Sequence, residues 1–154
     1  EAPLIEHARL PAWHAAEVAR LKIRLAGLPA TAGALRPSEL SGGMRKRAGV
    51  ARALALDPAI LFLDEPTAGL DPIGASEFDD LIRTLRDALG LTVFIITHDL
   101  DTLYAICDRV AVLADRKVIA TAPVAELERS DHPWIRSYFL GPRGRAAHDA
   151  KKDR

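Results

Sequence analysis

Apolar residues recur at helical intervals along the first third of the chain. Between Trp13 and Ala26, Val18, Leu21 and Leu25 alternate with charged Glu17, Arg20, Lys22 and Arg24, and Gly27 follows as a stop, so the pattern predicts an amphipathic helix. After a loop carrying Pro29, Gly33 and Pro37, a second helix is expected from about Gly43 to Leu56, with Met44, Ala48, Ala51 and Ala55 on one face. Ile60 to Leu63 is wholly apolar and bounded by Pro58 and Pro66. It is too short for a helix and fits a strand buried on both faces of a parallel sheet.

Phe78, Leu81, Ile82, Leu85 and Leu89 follow helical spacing and end at Gly90, and Thr92 to Ile96 reads as the next buried strand. Asp99 is placed to cap a helix over Leu100 to Cys107. Val110 to Leu113 and Val118 to Thr121 then read as strands around a tight turn at Asp115 and Arg116. Two short helices, Ala122 to Arg129 and Pro133 to Leu140, complete the pattern. Strands alternating with helices predict an α/β fold with a mostly parallel sheet, flanking helices and right-handed crossovers. The expected divisions are a helical segment over 1–56, an α/β core over 57–121, C-terminal helices over 122–140 and a solvated tail over 141–154.

Length and composition narrow the class. The chain has 154 residues with 49% apolar content, enough for one domain with a real core and too apolar for disorder. Its longest apolar runs, such as Ala59 to Leu63 and Val110 to Ala114, span five residues, far short of a membrane crossing. The tail after Leu140 holds five basic and two acidic residues in a chain whose net charge is zero, so no strongly basic nucleic-acid surface is expected. Cys107 is the single cysteine and no signal segment opens the chain, which points to a reducing, cytosolic setting. Position 1 is not Met, and the sequence contains neither Asn nor Gln, so a portion of a longer protein is expected.

Four local features carry chemistry. The strand Ile60 to Leu63 ends in Asp64-Glu65, at the carboxyl edge where α/β sheets place ligands. The pair is either two solvated acids or a site in which Asp64 faces Mg²⁺ and Glu65 orients a water toward a triphosphate. Ser41-Gly42-Gly43-Met44 precedes the basic helix of Arg45, Lys46 and Arg47, and reads as an ordinary N-cap or as an anion seat made of free helix-start amides. The three basic residues read as a solvated face in preference to a phosphate clamp. His98 follows the second strand, as a surface residue or as a hydrogen-bonding partner for a phosphate. Ala68 to Pro72 is a turn that is equally ordinary on its own.

In this order the four features resemble the ATP-binding subunits of ABC transporters, over about Pro37 to Thr121. The resemblance implies a P-loop NTPase-like fold with a helical signature subdomain. It matches Ser41, Gly42, Gly43 and Met44 to the signature motif, Asp64 to the Walker B aspartate with Mg²⁺ bound through water, Glu65 to the catalytic glutamate, Asp71 to the D-loop and His98 to the switch histidine. It further implies a homodimer that sandwiches ATP, each signature serving the nucleotide of the other copy in trans. The P-loop is missing, since no Gly-Lys pair occurs anywhere, and so is the Q-loop glutamine.

Met44, the stretch Arg36 to Glu39 and the segment Asp131 to Arg136 are similar to the ATPases of Mla-type, MCE-associated phospholipid transporters. That branch implies membrane permease subunits and an MCE-domain lipid-binding protein as partners, no nucleic acid, and a peripheral position on the cytoplasmic face of the bacterial inner membrane. Two rivals remain: a soluble ABC ATPase acting on DNA or ribosomes, and a non-catalytic binding module. The compact interval from Ser41 to Asp64 and the lack of heptads speak against the first.

Overall fold

The computed structural model describes residues 1–141, and the chain divides into two compact units, Glu1 to Ile96 and Thr97 onward. Of the expected tail, all but Gly141 lies outside the described residues. The first unit contains α1 (Ala2–Glu6), α2 (Ala12–Leu25), 3₁₀ turns at Ala30–Ala34 and Pro37–Glu39, and α3 (Gly42–Ala53), which tightens into a 3₁₀ turn at Leu54–Leu56. It continues through β1 (Ile60–Asp64), α4 (Pro72–Leu89) and β2 (Thr92–Ile96). β1 and β2 pair in parallel, Ile60 opposite Thr92 and Asp64 opposite Ile96, with α4 as the crossover.

α2 forms where the periodicity places it, and Val18 of the expected stripe packs on the core, but the buried face is rotated away from Leu21. Ala15 and Lys22 are buried while Leu21 is 54% exposed. The inner stripe runs through Ala15, Lys22 and Ala26, positions seven and eleven apart, because small Ala15 packs in one cluster with Leu4 and Ala55. Lys22 tolerates burial because its ammonium reaches the Asp57 carboxylate in a hydrogen-bonded ion pair, while its stem covers apolar surface. Asp57 sits in the left-handed region at φ 49°, ending the 3₁₀ turn at Leu56.

The expectation that both strands are buried on both faces is corrected. Leu61 is buried, but Phe62 is 70% exposed, and Ile60, Phe94 and Ile96 are exposed beside it. Side chains alternate across a strand, and a parallel sheet loses both faces to the interior only when a layer lies on each side. Here one face of a two-stranded sheet is turned inward; the other carries an apolar row in which the rings of Phe62 and Phe94 sit 5.7 Å apart. Phe78, Ile82 and Leu85 form the buried stripe of α4. The helix ends as expected at Gly90, whose φ of 65° is the left-handed C-cap that glycine adopts without a Cβ penalty.

The second unit holds α5 (Leu100–Ile106), β3 (Val110–Ala114), β4 (Lys117–Ala122), α6 (Val124–Leu127) and α7 (Pro133–Leu140). β3 and β4 form an antiparallel hairpin, separate from the parallel pair, with an irregularity between Val112 and Leu113. Asp115 and Arg116 both take positive φ, as a two-residue turn matched to strand twist requires. Leu103, Tyr104, Val112, Val124, Leu127, Ile135 and Phe139 make a core of their own. No helix among the described residues is long and apolar enough to cross a membrane.

Candidate functional site

Ser41 caps α3: its Oγ accepts from the Met44 amide at 3.2 Å, and its carbonyl accepts from the Arg45 amide at 2.9 Å. The amides of Gly42 and Gly43 precede the first intrahelical bonds and point ahead of the helix. What surrounds these glycines is informative. A Cβ at Gly42 would meet nothing within 4 Å, and one at Gly43 only Leu70 Cδ2 at 3.8 Å. Packing within the chain therefore gives no reason for two residues that weaken a helix start relative to alanine.

The signature stretch shares a cleft of about 620 Å³ with the turn after β1: Ser41 to Met44 line one side, and Gly69, Leu70 and Asp71 another. Asp71 caps α4, accepting from the amides of Ile73 at 3.1 Å and Gly74 at 3.0 Å. Gly27, Arg47 and Glu77 also line the cleft; Gly27 and Glu77 were not anticipated as site residues from the sequence. Arg47 reaches Glu77 at 3.5 Å and lies so close over Gly27 that a Cβ there would stand 2.5 Å from its Nη1. Gly27 has φ 72°, so the backbone favours glycine there, while the Arg47 side-chain end could move aside.

Asp64 ends β1 exposed, and Glu65 follows half-buried with φ 44°, a left-handed conformation rare for a residue with a side chain. Three backbone contacts hold it there. Its amide donates to the Ile96 carbonyl at 2.8 Å; its own carbonyl accepts from Lys46 Nζ at 3.1 Å and from the Ala68 amide at 3.3 Å. Leu70 closes the same turn onto the Thr67 carbonyl at 3.1 Å. The reading of Arg45, Lys46 and Arg47 as a solvated face holds for Arg45, which is exposed, and is corrected for the other two, which are partly buried and tied to Glu65 and Glu77. Their spacing carried the signal: Lys46 lies four and eight residues before buried Val50 and Leu54, on the inner stripe of α3.

His98 belongs to the second unit, where it is exposed and its carbonyl accepts from the Tyr138 hydroxyl at 2.8 Å. Trp134 stacks on the Tyr138 ring at 5.2 Å, so the segment Asp131 to Arg136 leads into the helix that holds the His98 backbone. Asp99 caps α5, accepting from the Asp101 amide at 3.0 Å. No group of three or more His, Cys, Asp or Glu among the described residues could hold a metal ion. One exposed carboxylate at a strand end, Asp64, still fits Mg²⁺, an ion that takes one or two protein carboxylates and fills its shell with phosphate oxygens and water.

A parallel β1–α4–β2 unit preceded by a glycine-started helix is an α/β architecture, and comparison with known proteins narrows it to a family. Residues 6–68 match the model of the ABC transporter family. The chain resembles the C-terminal portion of the ATP-binding subunits of ABC transporters. It is 40% identical over 139 residues to the intermembrane phospholipid transport system ATP-binding protein MlaF of Escherichia coli K12, covering 90% of this chain and 51% of that protein. It is 47% identical over 120 residues to the methionine import ATP-binding protein MetN 1 of Rhodococcus jostii, covering 78% of this chain and 35% of that one. The chain thus spans about half the length, or less, of these curated relatives.

Among solved structures, cbiO1 of Clostridium perfringens, part of the ABC transporter complex cbiONQ, superposes with a TM-score of 0.67 at 32% identity. That match covers 92% of this chain and 55% of cbiO1. The ATP-binding cassette MJ0796, described as a dimer in a post-hydrolysis state bound to ADP and Pi, gives a TM-score of 0.65 at 29% identity over 74% of this chain and 49% of that one.

Proposed function

We propose that this chain is the signature-bearing part of an ATPase subunit that energises phospholipid transport in an Mla-type system, at the cytoplasmic face of the inner membrane. The observation that carries the ATPase reading is the exposed start of α3, where Ser41 caps Met44 and the amides of Gly42 and Gly43, ahead of the first intrahelical bonds, suit an anion delivered from outside. In the dimer, Ser41, Gly42, Gly43 and Met44 receive the γ-phosphate of an ATP held by the P-loop of the second copy. Asp71, at the far wall of the same cleft, stands at the dimer seam.

On the subunit's own nucleotide, Glu65 orients the attacking water and takes its proton, and His98 hydrogen-bonds the γ-phosphate. Asp64 would hold a Mg²⁺ ion through water, and the ion would supply charge neutralisation on the phosphates. The MlaF match, which reaches across nine-tenths of the chain, supports a phospholipid cargo and hence permease subunits and an MCE-domain protein as partners. The MetN 1 match supports the transporter ATPase in general.

The test is Glu65→Gln in the complete, P-loop-bearing subunit. Turnover should fall by roughly 10²-fold or more with ATP binding retained, because shape survives and the base does not. Near-normal turnover would refute the catalytic role. For cargo, the subunit purified in mild detergent should carry an MCE-associated permease with it; an amino-acid or sugar permease in its place would refute the lipid assignment alone.

A further inference from the structure

The contact between Lys46 and Glu65 belongs to neither the anion seat nor the reacting atoms, yet it joins the two. Lys46 lies on α3, five residues beyond Ser41, and its ammonium donates at 3.1 Å to the backbone carbonyl of Glu65, 19 positions further along the chain. Glu65 pays for its direction with a left-handed backbone, φ 44°, immediately before buried Pro66. Such a conformation persists only where neighbours over-determine it. The Cα–Cβ direction of a residue is fixed once both flanking peptide planes are fixed. The plane before Glu65 is held by its amide on Ile96 at 2.8 Å, and the plane after it by the carbonyl on Lys46 and on the Ala68 amide.

We propose that Lys46 is a positioning residue: by holding the Glu65 carbonyl with a charged donor, it aims the Glu65 carboxylate from the same helix whose start forms the anion seat. The proposal rests on the catalytic reading of Glu65 given above. It assigns the positive charge of Lys46 to the backbone and not to a phosphate. Arg45, exposed one position earlier, has no part in it. A carboxylate misaimed by about 1 Å costs on the order of 10²-fold in rate, while nucleotide binding, which uses other groups, is untouched.

The experiment compares Lys46→Met, which keeps the stem and removes the donor, with Lys46→Arg, which keeps a charged N–H donor. Both are made in the complete subunit, with Glu65→Gln measured alongside. Lys46→Met should lower kcat ten- to hundredfold with KM for ATP within twofold, and Lys46→Arg should recover most of that loss. If Glu65→Gln abolishes turnover while Lys46→Met stays within twofold of the parent, the positioning role is wrong and the catalytic reading stands. If Glu65→Gln keeps turnover, the catalytic reading itself has failed. A raised KM at unchanged kcat for Lys46→Met would make Lys46 a nucleotide contact, and a loss that Lys46→Arg leaves unrepaired would make it a structural residue; either outcome overturns the proposal.

Discussion

Gly42→Ala should make the protein more stable and less active, and the two effects have separate physical origins. Gly42 is the first residue of α3, its backbone is helical, and an added methyl would find open space on every side. Alanine in a helix is favoured over glycine by roughly 0.5–1 kcal/mol, less in the first turn. A gain of about 0.5 kcal/mol in a chain of this size raises Tm by roughly 1–2 °C. If these amides seat a phosphate as proposed, the same methyl crowds its approach, and turnover of the complete subunit should drop by about tenfold or more.

Two companion substitutions calibrate the measurement. Gly49, in the middle of α3 with nothing within 4 Å of a Cβ, should gain about 0.5–1 kcal/mol as alanine with no change in turnover. Gly27 should lose stability instead, since its φ of 72° is a backbone conformation that a side chain strains. Thermal and urea unfolding of the three variants, beside ATPase rates, separate the terms. A destabilised Gly42→Ala, or one with turnover within twofold of the parent, would refute the argument that this glycine exists for an external ligand.

Two further predictions concern the scaffold. Asp71→Ala removes both bonds that cap α4 and should cost about 1–2 kcal/mol, read from urea midpoints at constant slope; Asp71→Ser should restore most of it. Tyr104 is buried with its hydroxyl donating to Glu128 Oε1 at 2.6 Å, and burial first, then that bond and the carboxylate charge, push its ionisation above the usual phenol range. A raised native value means the folded state holds this proton more tightly, so the stabilisation is complete below about pH 10 and is lost as pH rises further into the alkaline range. Tyr104→Phe should lower stability at neutral pH and flatten that alkaline decline; an unchanged alkaline profile would refute the assignment.

Elements were legible wherever one local cause decides them. α4 has a capping acid before it, a proline in its first turn, a regular apolar stripe and a left-handed glycine after it, and its expected end at Gly90 was met. The hairpin turn at Asp115 and Arg116 likewise needs only its own residues. Faces were less legible, because they depend on what else arrives. Lys22 is inside and Leu21 outside because Asp57, 35 residues away, offers a partner to the ammonium. Phe62 is outside because burial of a strand on both faces needs a second layer that composition alone cannot reveal. At the site, Ser41 to Met44 and Gly69 to Asp71 were recognisable as short motifs. Gly27, Glu77 and the two inward basic residues entered through tertiary packing.

The exposed row Ile60, Phe62, Phe94 and Ile96 turns the parallel pair into a built-in reporter of coverage. In this chain alone, tolerance to polar substitution along 60–64 and 92–96 should alternate with the strand period: permissive at these four positions and restrictive at inward Leu61, Leu63, Val93 and Ile95. Once another layer lies over the row, the alternation should vanish and every position become demanding. A substitution profile read along ten residues thus records, without any image of the complex, whether the sheet has one neighbour or two.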